Sequence, residues 1–283
     1  MTGRIVLLGT KGGPAVRQLG AWPTSTLVEM DGRRVLVDAA IGCTRALVEA
    51  GMDLRDLDAI LITHLHSDHV LELGPLLHTA WTTGLSRPVV VFGPQGIEGY
   101  WQGFLSSVAI DCAIRVEDEG RVPLNDLVTV TTIGPGEVAG APAPLRIRAI
   151  DVPHPPLAPC LAFRIDGTRS VVLSGDTAFH PPLAGFARGC DVLIHEAMLP
   201  DGVEEIIRRT GLGDRLRAHL HASHTVAADA ARIARDAGAG RLVLNHLIPA
   251  DDPRFTEAHW LAACAAVWNG PVTVGRDGQE IAL

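Results

Sequence analysis

The sequence predicts an α/β protein built from two β-sheets with helices on their outer faces. Three observations carry this expectation. The chain opens with short apolar runs, Arg4 to Leu8, Thr26 to Met30 and Arg34 to Val37, joined by Gly-rich and Asp-Gly turns typical of antiparallel strands. A second β-rich series comprises Leu127 to Ile133, Leu145 to Ile150, Leu161 to Ile165 and Val171 to Leu173, and strands then alternate with helical patterns. Strand sets of this kind bury their apolar faces most simply as two sheets shielded by helices.

Within the first half, Cys43 to Ala50 reads as a helix ending at Gly51, Ala59 to Thr63 as a strand, and Val70 to Leu77 as an amphipathic stretch. Val89 to Phe92 is a further strand and Gln95 to Val108 a helix. Tyr100 and Phe104 stand one turn apart with Trp101 beside them. Such a set usually packs a core, and together with Trp81 it is also a candidate lining for an apolar leaving group. In the second half, Val192 to His195 and Leu242 to Asn245 read as strands, and Val203 to Arg209, Val226 to Ala237 and Thr256 to Trp268 as helices. The Gly/Pro/Ala-rich stretch from Gly134 to Pro144 reads as the seam of one domain spanning 1–283, with halves of about 1–135 and 136–283.

With 283 residues, 47% of them hydrophobic, the chain has ample material for a large core. Its 24 Lys and Arg against 32 Asp and Glu give a formal charge of −8 with no basic run. Nucleic-acid affinity rests largely on neutralising phosphates, so this balance counts against nucleic acid as the main partner. The first residues lack the long apolar core of a secretory signal, and no apolar run reaches the length of a membrane span. Five cysteines, widely spaced and without a CxxC pair, read as reduced thiols in a cytoplasmic protein.

The chemistry concentrates in DAILITHLHSDHVLELG, where the strand ending at Thr63 runs into His64, His66, Asp68 and His69. Alternation along an extended chain puts His64 and His66 on one face, able to share an ion, and the turn into the following helix lets Asp68 and His69 face a neighbouring ion. With only 12 histidines in the chain, H-x-H-x-D-H has a very low chance expectation. It also lies at the end of a buried strand, where α/β sites are usually built. Asp38, at the end of its own strand, either holds a ligand imidazole or caps a helix. The loop Gly9 to Pro14 lacks the spacing of a phosphate-binding motif and reads as a tight loop approaching the site. Three later strand ends add His154 in VPHPP, Asp176 in LSGDT and His246 in VLNHL.

With these residues in place the sequence resembles the metallo-β-lactamase superfamily along its length. The resemblance implies a four-layer αββα sandwich and two divalent metal ions. His64, His66 and His154 would hold one ion, Asp68, His69 and His246 the other, with Asp176 bridging. Zinc is the default for such imidazole and carboxylate ligands, with manganese or iron as alternatives. Leu193-Ile194-His195-Glu196-Ala197 resembles the H-E-A-T segment of ribonuclease Z type tRNA-processing enzymes and their arylsulfatase-like and phosphodiesterase relatives, with Met198 in place of Thr. His224-Thr225, 22 positions before His246, resembles the histidine that assists the leaving group in that branch and is expected to open a helix. The tRNA-gripping arm of the classical enzymes is inserted between the third ligand histidine and the GDT aspartate. Only 21 residues separate His154 from Asp176, and two strands consume most of them.

The function implied is hydrolysis of a small anionic ester, an aryl or alkyl sulfate or a phosphodiester, by a metal-bridging hydroxide. Two divalent ions lower the pKa of bound water to about 7 and clamp the attacking and departing oxygens. Asp68 would orient the nucleophile and take its proton; His224, oriented by Glu196, would serve the leaving oxygen. Alternatives are a lactonase or other carboxylic-ester hydrolase and, less favoured, a tRNA 3′-processing endonuclease. The resemblance also suggests a homodimer. His195 is expected in the core or behind the ligands; His78, His180 and His259 read as surface residues. His219 and His221, in AHLHASHT, fall in an expected loop and stay outside the ligand set, with His221 able to reach a pocket mouth.

Overall fold

The computed structural model describes residues 3–283; Met1 and Thr2, part of the start read as lacking the apolar core of a secretory signal, lie outside the described residues. The chain lays down β1 (Arg4–Gly9), β2 (Ser25–Met30), β3 (Arg33–Val37), β4 (Ala59–Leu61), β5 (Val89–Gly93) and β6 (Val128–Thr132) in a first sheet. It then crosses to a second sheet made of β7 (Gly136–Glu137), β8 (Arg146–Asp151), β9 (Leu161–Asp166), β10 (Ser170–Leu173), β11 (Val192–Met198), β12 (Arg241–Ile248) and β13 (Val272–Val274). The last strand, β14 (Gln279–Ala282), returns to the first sheet and pairs antiparallel with β1.

Each sheet is antiparallel where hairpins connect its strands and parallel where helices do. Thus β1, β2 and β3 pair antiparallel, whereas β3 to β6 run parallel. In the second sheet β7 to β10 are antiparallel and β10 to β13 parallel. The first sheet is covered by α1 (Cys43–Glu49), α2 (Ser67–Val70), α3 (Leu73–Thr82), α4 (Ile97–Ser107), α5 (Ala109–Glu119) and α6 (Leu124–Leu127), and α7 (Pro182–Phe186), α8 (Pro200–Thr210), α9 (Gly213–Ser223), α10 (Ala227–Ala237) and α11 (Glu257–Ala265) follow in the second half.

Strand alternation divides the core into three layers. Ile5, Leu7, Val28, Val35 and Leu61 point between the sheets and meet Ile147, Phe163, Val171 and Val243. Their neighbours Val6, Leu8, Leu27, Leu36 and Ile60 point outward, beneath Leu47, Leu77 and Trp101 of the helices. On the far side Val172, Leu193, Leu242 and Leu244 lie under Ala230, Ala234 and Trp260. Each fully buried Leu, Ile or Phe contributes on the order of 1.5–3 kcal/mol. The result is the expected αββα sandwich.

Four helices were absent from the sequence expectation, α5, α6, α7 and α9. The last matters most, because AHLHASHT is helical up to Ser223 rather than a loop, and His224 ends that helix instead of opening the next, which begins at Ala227. Among the described residues no helix is long and apolar enough to cross a membrane, and all five cysteines are free.

Gly175 joins β10 to Asp176 with φ of +59°, and a Cβ there would lie 2.6 Å from the Leu161 carbonyl oxygen. Gly175→Ala is therefore expected to destabilise the protein by about 1–3 kcal/mol, seen as a lowered denaturant midpoint with an unchanged slope.

Candidate metal centre and its cavity

The candidate ligands all leave strand ends on one side of the sandwich. His64 and His66 follow β4 in extended chain, and Asp68 and His69 lie in the short helix α2. His154 follows β8, Asp176 follows β10, and Glu196 and His246 lie within β11 and β12. His246 is aimed by a local irregularity: the β11–β12 register slips there, Asn245 pairing with Glu196 and Leu247 with Ala197, so His246 is the extra residue, with φ of +43°.

These side chains converge. His66 Nδ1 lies 3.0 Å from His64 Nε2 and 3.1 Å from His154 Nε2. In a second group, Asp68 Oδ2 lies 3.8 Å from His69 Nε2 and 3.6 Å from His246 Nε2. Asp176 Oδ2 sits between the groups, 3.1 Å from His246, 3.3 Å from His69, 3.8 Å from His64 and 3.9 Å from His154. Tetrahedral zinc with nitrogen ligands at about 2.0–2.1 Å sets donor separations of about 3.3 Å, in the middle of this range. Furthermore His69 Nε2, Asp176 Oδ1 and both ring nitrogens of His246 are buried without a hydrogen-bond partner. Buried polar atoms rarely stay unpaired, so their convergence fits cations in two adjoining positions.

The outer nitrogens explain why the inner ones are free to ligate. His154 Nδ1 donates to the Ser223 carbonyl at 2.9 Å, which leaves Nε2 bare in the neutral ring. His69 Nδ1 donates to Asp38 Oδ2 at 2.7 Å. The Thr63 hydroxyl donates to the same carboxylate at 2.9 Å, so its lone pair receives His64 Nδ1–H at 3.0 Å. Asp38 thus sets the tautomers of two imidazoles from a left-handed backbone with φ of +62°, resolving its two sequence readings in favour of holding a ligand imidazole.

Burial pushes the pKa of His64, His66 and His154 down, toward the neutral ligand form. Burial also opposes charge on His246, but the Asp176 and Asp68 carboxylates outweigh it and raise its pKa to about 10. His69 is raised for the same reason, with burial opposed by Asp176 and Asp38. Protons on these two rings would compete with a cation for the same carboxylates.

His224 lies beside the ligands, its ring stacked 5.4 Å from His246 and edge-on 5.0 Å from His154. Its Nδ1 is held by Glu196 Oε2 at 3.0 Å and Oε1 at 3.1 Å, and Glu196 also accepts from the Thr177 backbone at 2.6 Å. Burial works against protonation of His224, yet the Glu196 carboxylate prevails and its pKa is raised. His195 is buried apart from the ligand groups, with Nδ1 on the Glu196 carbonyl and burial lowering its pKa to about 4.

A cavity of about 440 Å³ opens beside the ligands. Its apolar wall is Ile206 of α8, Leu212, Leu216 and Leu220 on and before α9, and Ile248; Lys11 and Arg17 also line it, both paired with Asp251, and exposed Arg209 adds positive charge. The loop after β1 does approach the site, as expected: Gly12 donates to the Leu247 carbonyl, and a Cβ at Gly12 would lie 3.0 Å from the His246 ring.

Of the two aromatic readings the core one holds and the cavity lining fails. Trp81 and Trp101 are buried under the helices of the first sheet, Trp81 donating to the Val122 carbonyl at 2.8 Å, and Tyr100 bonds the Leu71 carbonyl; none lines the cavity. The expectation for His221 also fails, because His219 and His221 lie two residues apart on a helix and so face different ways. His219 lines the cavity and His221 is exposed. The missed wall had a signal, since Leu212, Leu216 and Leu220 recur every fourth residue.

Fold and site together define a metal-dependent hydrolase of the metallo-β-lactamase fold. Ribonuclease Z of Mycobacterium bovis is 34% identical over 285 residues, covering 98% of this chain and 97% of that protein. The metallo-β-lactamase fold protein YhfI of Bacillus subtilis superposes with a TM-score of 0.74 at 21% identity, covering all of both chains. The short form of human tRNase Z superposes with a TM-score of 0.69 at 19% identity over 98% of both. A family model described as Anti-Pycsar protein Apyc1 matches residues 4–226. The chain belongs to the Apyc1 family and is related to ribonuclease Z.

Removing the Asp38 carboxylate frees two imidazoles to rotate and change tautomer. Asp38→Asn is expected to weaken metal binding about 10–100-fold, measured by titrating chelated zinc into the metal-free protein.

Proposed function

We propose that the protein hydrolyses the phosphodiester bond of a small cyclic nucleotide. The single observation that carries this is the Glu196-held His224 beside the converged ligands, on a cavity with an aliphatic wall and Arg209 at its edge. The family match supports a cyclic nucleotide over the sulfate ester also considered from sequence.

His64, His66 and His154 would hold one divalent ion and Asp68, His69 and His246 a second, with Asp176 shared; zinc suits this imidazole-rich set. When bound, such a pair supplies positive charge for the phosphoryl oxygens and acidifies a water. Asp68 accepts the proton of the attacking water as its oxygen bonds to phosphorus. His224 gives its Nε2 proton to the leaving oxygen as the phosphorus–oxygen bond breaks. Glu196 keeps that imidazole charged and its Nε2 directed into the cavity. Arg209, exposed at the cavity and in no ion pair among the described residues, draws an anion toward the mouth despite the negative charge of the whole chain, whereas the charges of Lys11 and Arg17 are met by Asp251.

The name of the mycobacterial relatives favours a second reading, cleavage of precursor tRNA. Against it, only 21 residues separate His154 from Asp176, where the tRNA-gripping arm would lie, and the β9–β10 hairpin from Leu161 to Leu173 takes up more than half of them.

The test is turnover of a 3′,5′-cyclic nucleotide, bis-nitrophenyl phosphate, nitrophenyl sulfate and a precursor tRNA, each with and without chelator. Chelator-sensitive hydrolysis of the first two is expected. Activity confined to the sulfate or the tRNA would overturn the proposal. His224→Ala is expected to lower kcat about 10²–10⁴-fold while bound metal, read by elemental analysis, stays unchanged.

A further inference from the structure

His219 is a cavity-facing imidazole that the mechanism above leaves unused. It sits half-buried on α9, its ring 6.3 Å from His154 and 6.2 Å from His224. It therefore stands at the border between the first ligand group and the histidine that serves the leaving oxygen.

Its hydrogen bonds fix what it offers a ligand. The Ser223 hydroxyl donates to the Pro155 carbonyl, which uses its only proton. When His219 Nδ1 approaches that hydroxyl at 3.3 Å, the oxygen can only accept, so Nδ1 carries the hydrogen. Nε2 is then the bare nitrogen of a neutral ring, and it bonds no protein atom among the described residues. Burial, with the neighbouring His224 second, lowers the pKa of His219 and favours that neutral form. The Ser223 carbonyl holds His154 Nδ1, so the same residue orients both a candidate metal ligand and His219.

A bare imidazole nitrogen beside an anionic ester is poorly suited to a phosphoryl oxygen, because both are acceptors. It suits a hydroxyl. A 3′,5′-cyclic ribonucleotide has one free ribose hydroxyl, the 2′-hydroxyl, on the carbon next to the one bearing the 3′-oxygen, so it falls beside His224 when cleavage releases the 3′-oxygen. Resting on the cyclic-nucleotide function proposed above, we infer that His219 Nε2 accepts a hydrogen bond from the ribose 2′-hydroxyl of the substrate and so selects ribonucleotides over 2′-deoxyribonucleotides. A site built to bond a hydroxyl loses more from its absence than an apolar pocket does, because the polar partner is left unpaired.

The experiment measures kcat/KM for a 3′,5′-cyclic ribonucleotide and its 2′-deoxy counterpart with the metal-loaded native protein, His219→Phe and His219→Gln. The native protein is expected to prefer the ribonucleotide about tenfold, on the scale of one buried hydrogen bond. In His219→Phe the ratio should collapse toward one, because activity on the ribonucleotide falls further than activity on the deoxy compound. His219→Gln, which restores an acceptor, should recover part of the preference. Thermal midpoint and bound metal, measured on each variant, separate this from loss of fold. A native protein that hydrolyses both compounds equally, or a preference that survives in His219→Phe, overturns the inference while leaving the proposed function standing. Hydrolysis of neither compound overturns both.

Discussion

The structure depends on two buried carboxylates, Asp68 and Asp176, surrounded by imidazole nitrogens rather than by ordinary donors. Asp176 is fully enclosed, with one oxygen unpartnered and the other within 4 Å of four histidines. Bringing such groups together in a low-dielectric interior is unfavourable unless cations neutralise them, and the cost of leaving a buried charge uncompensated is several kcal/mol. The rest of the site can be understood as what makes this convergence hold still. Asp38 and the Ser223 carbonyl fix ring orientation, and Glu196 holds His224, the histidine proposed to serve the leaving oxygen.

Holding it still requires backbone that the sheets alone would not supply. His246 departs from strand alternation as a bulge in the left-handed region, and Asp38 adopts a similar conformation at the end of β3. Each costs on the order of 1–3 kcal/mol and persists because neighbouring strands over-determine it. Around His246 those constraints include backbone bonds between Leu247 and the loop at Thr10 and Gly12, which tie the opening strand of one sheet to the site strand of the other. The site therefore sits across both sheets, and both must fold for it to form.

Much of this was legible in the sequence. The strands declared themselves as short apolar runs between turns, and H-x-H-x-D-H named four of the candidate ligands because such density is rare by chance. His154, Asp176 and His246 each follow an apolar run, and it was the resemblance to the metallo-β-lactamase superfamily that marked them as candidate ligands. What was not legible lies where distant segments meet. Asp38 read equally well as a helix cap until its carboxylate was seen against His69 and Thr63. The helix α9 was hidden because Gly211 and Gly213 flank Leu212 and its apolar residues are diluted by Arg and His. Without that helix the Leu212, Leu216 and Leu220 stripe had no face, and the tryptophans of α3 and α4 looked like better candidates for a substrate wall than they are.

The central claim, that seven dispersed side chains close on a pair of cations, is tested most directly by anomalous diffraction from crystals of the metal-loaded protein. The account predicts two peaks, one among His64, His66 and His154 and one among Asp68, His69 and His246, with Asp176 touching both. A single ion, or ions bound elsewhere with these side chains unligated, would contradict it.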